Sequence, residues 1–243
     1  MNTTISKIIA VLFLSTFATS CVIDGFNRIK GDRNVTVEKR NISKDYSKIK
    51  ISNGLDVYIT QGNKVSVTVE ADENLHDVIK TEVRNGVLKI YSERNIWRAK
   101  AQKIYITTHP IEAIKATSGS DVYSENTLTG DNLEIETNSG ADMSLRLNVH
   151  SVVSSSSSGS DLKLVGNATN YTAIATSGSS TKSYGLKSKN VTVKATSGAD
   201  IDVYAIESIN AKANSGGDVD YKGTPTINKN KASSGGSISA KDF

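Results

Sequence analysis

The hexapeptide TSGADI at residues 196–201 is one copy of a unit that recurs seven times along the chain. The other six copies are TSGSDV at 117–122, NSGADM at 138–143, SSGSDL at 157–162, TSGSST at 176–181, NSGGDV at 214–219 and SSGGSI at 233–238. Successive Ser-Gly pairs lie 18 to 21 residues apart, about 19 on average. A fixed period of this length indicates a repeat architecture in which each unit stacks on its neighbours.

Small and apolar residues alternate with polar ones on both sides of each Ser-Gly pair. The third residue before the glycine is always small, from Ala116 to Ala232, and the third residue after it is apolar in every copy except at Thr181. A period of two is typical of β-strands. Aromatic residues make up only 6% of the chain, which suits a narrow core. The sequence therefore predicts an all-β protein, a parallel β-helix (solenoid) with about 19 residues per coil.

Each repeated glycine is expected at a sharp corner, because glycine adopts a positive φ without a Cβ penalty. The predicted corner residues are Gly119, Gly140, Gly159, Gly178, Gly198, Gly216 and Gly235, and also Gly54 in the related segment NGLDV at 53–57. The serine before each repeated glycine is expected to satisfy backbone groups at the bend with its hydroxyl. These serines do not fit a catalytic role, since none lies in a Gly-x-Ser-x-Gly elbow.

Five of the seven repeats carry an aspartate two residues beyond the glycine. These residues are Asp121, Asp142, Asp161, Asp200 and Asp218. Strands stack about 4.8 Å apart, so neighbouring carboxylates would repel each other by roughly 1 kcal/mol even in water. We favour the interpretation that each aspartate caps its own turn. The alternative is that a cation, calcium being the candidate, bridges successive carboxylates; no other cofactor is expected.

The N-terminus is predicted to be an export signal. Residues 1–20 contain Lys7, an apolar run from Ile8 to Phe17 and then small residues, which is the form of a signal peptide. Cys21 follows Ala-Thr-Ser, which resembles the lipobox of bacterial lipoproteins, although Ala18 stands where leucine is common. We therefore expect lipidation of Cys21, with ordinary cleavage and a free thiol as the alternative, and a polar tether over residues 21–40.

Strands joined by tight turns are predicted between Asn41 and Pro110. Asn53-Gly54 and Asn85-Gly86 each lie between alternating segments, and Asn-Gly is a strong signal for a β-hairpin. We expect these hairpin-rich strands to form the first coils of the solenoid or its cap.

Three segments carry a resemblance to a known family. ISNGLDVYITQG at 51–62, VTVEADENL at 67–75 and TEVRNGVLKIY at 81–91, followed by the Ser-Gly-x-Asp repeats, closely resemble the head GIN domain family of autotransporter-adhesin-like lipoproteins of Gram-negative bacteria. The resemblance covers residues 41–243. It implies a right-handed β-helix and an adhesin function, and it supplies no catalytic residues.

The expected function is an exported, lipid-anchored, non-enzymatic binding or scaffold module of the bacterial outer membrane, facing the periplasm or the cell surface. Its expected ligand is a glycan, a matrix protein or an envelope protein. The net charge of +4 comes without a basic, aromatic-rich stripe, so no nucleic-acid partner is expected. The alternative is a polysaccharide lyase or hydrolase, which would need either clustered carboxylates or a carboxylate together with lysine and arginine, in a groove walled by long loops. Short coils leave little room for such a groove, and no arginine follows Arg146.

The C-terminal edge of an open solenoid must be protected or paired. Lys241 and Asp242 are expected either to guard this edge with charge or to leave it as a contact for a homo-oligomer.

Overall fold

The computed structural model describes residues 27–242, so the predicted signal peptide and Cys21 lie outside the described residues. Apart from one 3-10 turn at Glu73–Leu75, the regular structure of this region is β-strand. The strands before the first Ser-Gly repeat are β1 (Arg28–Lys30), β2 (Val35–Arg40), β3 (Lys48–Ile51), β4 (Asp56–Gln61), β5 (Ser66–Asp72), β6 (Ile79–Arg84), β7 (Val87–Ser92), β8 (Asn95–Trp97), β9 (Gln102–Thr108) and β10 (Ala113–Thr117). The strands after it are β11 (Asp121–Asn138), β12 (Asp142–Ser156), β13 (Asp161–Thr176), β14 (Ser180–Thr196), β15 (Asp200–Asn214), β16 (Asp218–Lys222), β17 (Ile227–Ala232) and β18 (Ser237–Ala240).

The repeats form a parallel β-solenoid, as the sequence predicts. Each strand from β11 to β15 runs from one Ser-Gly corner to the next and therefore traces one coil. Every coil pairs in parallel with the following one, and equivalent repeat positions are in register, such as Asp121 with Asp142 and Asp142 with Asp161. One repeat thus forms one coil, and the solenoid axis runs along the hydrogen bonds between coils.

Both residues of each Ser-Gly corner have a positive φ. The seven serines have φ of 51° to 59°, and the glycines that follow have φ of 68° to 76°. The N–H of each glycine from Gly119 to Gly216 donates to the carbonyl oxygen of the corner serine in the next coil, at 3.1 to 3.3 Å. The corner serine side chains are exposed. The corners are therefore stacked by backbone hydrogen bonds, and the expectation that serine hydroxyls do this is wrong.

A different serine supplies its hydroxyl to the backbone, namely the one directly after the glycine. Ser120 Oγ donates to the carbonyl oxygen of Thr117 at 3.0 Å, and Ser160 Oγ donates to that of Thr137 at 3.1 Å. Both serines are buried. The position tolerates a hydroxyl in the core because the hydrogen bond offsets the cost of burying it.

The core lies between the strands that precede and follow the corners. Its walls are the predicted inward columns, including Ala116, Ile135, Ala195 and Ile201, all almost fully buried. The largest fully buried side chain is Tyr171, at 1% exposure, and its hydroxyl lies 3.2 Å from Ser154 Oγ. One aromatic ring therefore fits this narrow core where a small neighbour, Ser154, leaves room for it.

The first half caps the solenoid, but its strands do not stack in chain order. β3 lies between β7 and β10, and β4 lies between β9 and β11, all in parallel. β3 and β4, the strands on either side of Asn53-Gly54, pair with β10 and β11 and not with each other, so this turn is a solenoid corner and the expected hairpin is wrong. Asn85-Gly86 does join a hairpin, since β6 and β7 pair antiparallel. β5 pairs antiparallel with β9 on one side and with β2 on the other, so β2 is the edge strand of the stack on that side.

The folded region begins earlier than the predicted tether boundary at residue 40. β1 pairs with β8, and β2 pairs with β5. The fully buried carboxylate of Asp72 accepts hydrogen bonds from the backbone N–H groups of Arg33, Lys100 and Ala101 at 2.9 to 3.1 Å. The prediction of a tether through residue 40 is wrong because Asp72 ties this segment to the domain.

The C-terminal coil is more polar than the coils before it. In the column occupied by Ile209 and Ala211 in the previous coil, β17 places Asn228 and Asn230. Asn230 Oδ1 accepts a hydrogen bond from the N–H of Ala211 at 3.2 Å, and Lys241 Nζ lies 3.1 Å from Asp220. Polar side chains and this ion pair therefore cover the end of the described stack.

Candidate functional site

The predicted aspartates form a row on the outer face of the strands that follow the corners. The parallel register places Asp56, Asp121, Asp142 and Asp161 in four successive coils. Ser180 interrupts the row, and Asp200 and Asp218 continue it. Sequence reasoning missed Asp56, although the segment NGLDV contains it. On the other side of Asp56 the row continues with Lys103.

Asp56, Asp121 and Asp142 form the upper end of this row, and their carboxylates repel one another. Burial raises the pKa of Asp121 above its ordinary value, and the charges of Asp56 and Asp142 raise it further. Burial also raises the pKa of Asp56, although the nearby Lys103 opposes this effect. A positive charge placed beside these carboxylates would stabilise their ionised form and lower their pKa.

The lower part of the row makes bonds between coils. Asp218 Oδ1 accepts hydrogen bonds from the backbone N–H and the hydroxyl of Ser237 in the next coil, at 3.1 and 2.7 Å. Lys182 Nζ lies 3.4 Å from Asp161 Oδ1. The interpretation that each aspartate caps its own turn is therefore wrong for Asp218, whose partner belongs to the next coil. Within residues 27–242, no three His, Cys, Asp or Glu side chains are grouped to hold a metal ion.

Three tyrosines stack beside the upper aspartates on the same outer face. The ring centroids of Tyr105 and Tyr58 are 5.2 Å apart, and those of Tyr58 and Tyr123 are 5.5 Å apart, with interplanar angles of 19° and 23°. Tyr105 and Tyr123 are each 38% exposed, and the Tyr105 hydroxyl lies 3.2 Å from Glu70. We call this row of Tyr105, Tyr58 and Tyr123 the tyrosine ladder.

The tyrosine ladder exists because three strands bring equivalent positions into register. Tyr58 is paired with Tyr105 on β9 and with Tyr123 on β11. Small side chains stand at both ends, Thr68 beside Tyr105 and Ser144 beside Tyr123. The ring of Tyr123 is thus covered by Tyr58 on one side and faces the coil of Ser144 on the other.

Tyr184 and two aspartates form a second cluster further down the solenoid. Tyr184 donates a hydrogen bond to the carboxylate of Asp202, and burial together with the charges of Asp202 and Asp220 raises the Tyr184 pKa well above its ordinary value. Lys222 Nζ lies 5.3 Å from the centroid of the Tyr184 ring. This cluster therefore contains its own cation.

An open groove with a volume of about 630 Å³ lies away from the tyrosine ladder. Its lining includes the carboxylates of Glu112, Asp131 and Glu134 and the apolar side chain of Val153, but no lysine, arginine or histidine. The groove therefore holds clustered carboxylates but not the lysine and arginine that the other enzymatic arrangement would need.

Part of the tyrosine ladder is visible in the sequence in retrospect. The tripeptide DVY follows a corner at residues 56–58 and again at 121–123, so Tyr58 and Tyr123 occupy the same repeat position. Tyr105 follows no Ser-Gly or Asn-Gly corner, and only the pairing of β9 with β4 places it beside Tyr58.

A parallel β-solenoid with an extended outer face bearing stacked aromatic side chains defines a class of repeat proteins that suits binding to large partners. The chain belongs to the family described as "putative auto-transporter adhesin, head GIN domain", whose model matches residues 45–225. No curated protein matches the sequence.

Solved structures of similar proteins share the fold. A putative adhesin from Bacteroides fragilis is 24% identical, with a TM-score of 0.82 over 88% of this chain and all of its own. A putative lipid binding protein from Parabacteroides distasonis is 20% identical, with a TM-score of 0.68 over 87% of this chain and 99% of its own. A putative adhesin from Parabacteroides merdae is 18% identical, with a TM-score of 0.66 over 89% of this chain and all of its own.

Proposed function

We propose that this protein is an exported, non-enzymatic binding module of the adhesin type. The observation that carries the proposal is the tyrosine ladder, a row of partly exposed aromatic rings on a rigid backbone. Tyrosine supplies a large contact area with few rotatable bonds and is enriched among the residues that dominate binding energy. Membership in an adhesin-type family supports the same function.

The proposed location is the bacterial outer membrane, with the solenoid held by a lipid on Cys21 and facing the periplasm or the cell surface. The lipobox-like segment supports the anchor, and two or three acyl chains would hold a protein stably at a bilayer. In the described residues, no helix has the length and apolar character needed to cross a membrane.

The anchor is tested by replacing Cys21 with serine. Cys21→Ser should move the protein from the membrane fraction to the soluble fraction, because the thiol that carries the lipid is lost. Protease treatment of intact cells then distinguishes surface display from a periplasmic location. A variant that stays in the membrane fraction would contradict the anchor.

Binding is tested with the full-length protein against glycans, extracellular matrix proteins and envelope components. We expect at least one ligand, and we expect Tyr105→Ala with Tyr123→Ala to weaken its binding by about tenfold or more, because tyrosines at the centre of an interface often contribute 1 to 2 kcal/mol or more. Ile227→Ala, which truncates another exposed apolar side chain on β17, is the matched control and should leave binding unchanged.

Two results would overturn the proposal. Failure to bind in all three panels would leave only a structural role for the solenoid. Release of reducing ends or unsaturated sugars from acidic polysaccharides would support the alternative function, a polysaccharide-processing enzyme.

Sedimentation of the Cys21→Ser protein tests, in addition, whether the C-terminal edge forms a homo-oligomer.

A further inference from the structure

The solenoid contains two clusters of similar chemistry, and they differ in one component. In the lower cluster, Tyr184 lies beside Asp202 and Asp220, and Lys222 Nζ stands 5.3 Å from the ring centroid. In the upper cluster, Tyr123 lies within the electrostatic reach of Asp121 and Asp142. In the lower cluster, the ammonium group of Lys222 lies over the ring and that of Lys182 acts on the carboxylate of Asp202, so both components of the cluster attract ammonium groups.

In the upper cluster, no cation of the described residues lies over the Tyr123 ring, and Lys163 follows one coil beyond Ser144 in the same row. Ser144 occupies the position beside Tyr123 in the next coil, and its side chain is too short to reach over the ring. Among residues 27–242, lysine or arginine stands over the rings of Trp97, Tyr184 and Tyr204 but not over Tyr123. One face of the Tyr123 ring therefore borders the short side chain of Ser144 on the outer face of the solenoid.

Charge on this part of the surface favours a cationic occupant. Asp56, Asp121 and Asp142 follow one another in the row, and Lys103 is the basic residue that continues it. Burial and the charges of Asp56 and Asp142 raise the pKa of Asp121. Burial raises the pKa of Tyr123, and the charge of Asp121 raises it further. Anionic polymers would be repelled from such a row, whereas lysine or arginine would pair with it.

We propose that Tyr123, Asp121 and Asp142 bind a lysine or arginine side chain from a basic segment of a partner protein, in the way that the lower cluster holds Lys222. The cationic group would lie against the free face of Tyr123 above Ser144, with the two carboxylates beside it. A guanidinium suits this place best, because it stacks on aromatic rings and bonds carboxylates with two donors. This inference rests on the proposed binding function and names its partner.

The experiment measures the fluorescence anisotropy of a labelled hexa-arginine peptide titrated with the full-length protein in detergent. Wild type should bind the peptide, and binding should weaken as salt rises because exposed charges are screened. A hexa-glutamate peptide should not bind. Tyr123→Ala should raise the Kd by about three- to tenfold, which corresponds to the loss of one exposed or partly desolvated cation–π contact. Tyr123→Phe should leave the Kd unchanged, because the face of the ring is retained.

Ser144→Lys is the sharpest variant, because it supplies the missing lysine in the chain itself. This lysine should lie over Tyr123 as Lys222 lies over Tyr184, and it should raise the peptide Kd by about tenfold or more, since it blocks the ring and neutralises one carboxylate. Glu207→Gln, at an exposed pair with Lys189, makes the net charge more positive by the same one unit and is the control. It should leave the Kd within about twofold of wild type, as expected for an exposed pair.

The outcomes separate this inference from the proposed function. If wild type binds hexa-arginine but Tyr123→Ala and Ser144→Lys bind it equally well, the site is wrong while binding as such stands. If wild type binds a glycan in the panel and not hexa-arginine, the partner class is wrong and the adhesin-type function remains. Thermal melting of each variant confirms that a lost signal does not come from unfolding.

Discussion

Gly166 should tolerate replacement by alanine less well than Gly198 or Gly130. It lies on β13, opposite Leu147 of the preceding coil, and its φ is +118°. A Cβ built on Gly166 would lie 1.9 Å from the carbonyl oxygen of Leu147, and that oxygen belongs to backbone that cannot rotate away. Alanine at this position must therefore push two coils apart.

The cost of Gly166→Ala follows from two contributions. A non-glycine residue in such a sparsely populated backbone region costs about 1 to 3 kcal/mol. Separating the coils sacrifices roughly two hydrogen bonds at about 1 kcal/mol each. We expect a loss of about 3 to 5 kcal/mol, which for a domain of this size lowers the Tm by roughly 10 °C.

Two other glycines provide a graded comparison. Gly198→Ala, at a corner with φ +69° and no atom within 4 Å of the new Cβ, should cost only about 1 to 2 kcal/mol, the backbone term alone. Gly130→Ala, with neither a positive φ nor a close neighbour, should be neutral or slightly stabilising. Urea unfolding followed by far-UV circular dichroism gives the three values. The steric reasoning fails if Gly166→Ala loses no more stability than Gly198→Ala.

Four further changes test the core and the charges. Tyr171→Ala should cost about 3 to 5 kcal/mol and Tyr171→Phe only about 1 kcal/mol, measured by urea unfolding; equal losses would contradict a packing role for the ring. Burial alone would raise the pKa of Asp72, but the three backbone N–H groups and Arg33 lower it overall, so its stabilisation should be lost as the pH falls through this depressed pKa, and Asp72→Asn should lack that acid transition. Burial and the charges of Asp218 and Asp220 raise the pKa of Asp200, so its ionised form destabilises the folded protein at pH 7. Asp200→Asn should therefore raise the Tm at pH 7, and the difference from wild type should disappear below about pH 3.9, the ordinary pKa of aspartate. Calcium and chelator should leave the Tm unchanged, because no three described carboxylates are grouped for a metal; a calcium-dependent rise would restore cation bridging.

The repeat half could be predicted from the sequence because its contacts repeat at one period. Each coil touches mainly the coil before and after it, so the spacing of the Ser-Gly pairs places Asp121 beside Asp142, and alternation directs Ala195 and Ile201 inward. In a solenoid, nearest-neighbour packing and chain order coincide. The same logic could not identify which serine bonds the backbone, because that depends on the φ of both corner residues.

The cap and the tyrosine ladder depend on pairings that chain order does not determine. The sequence of Asn53-Gly54 fits both a hairpin turn and a solenoid corner. The corner forms because β3 joins β7 and β10, and β4 joins β9 and β11, in two parallel stacks that extend the core. Tyr58 meets Tyr105 only because β9 enters beside β4 out of sequence order. Local alternation specifies which way a side chain faces, whereas burying the exposed end of the solenoid selects the neighbouring strand, and this selection creates the tyrosine ladder.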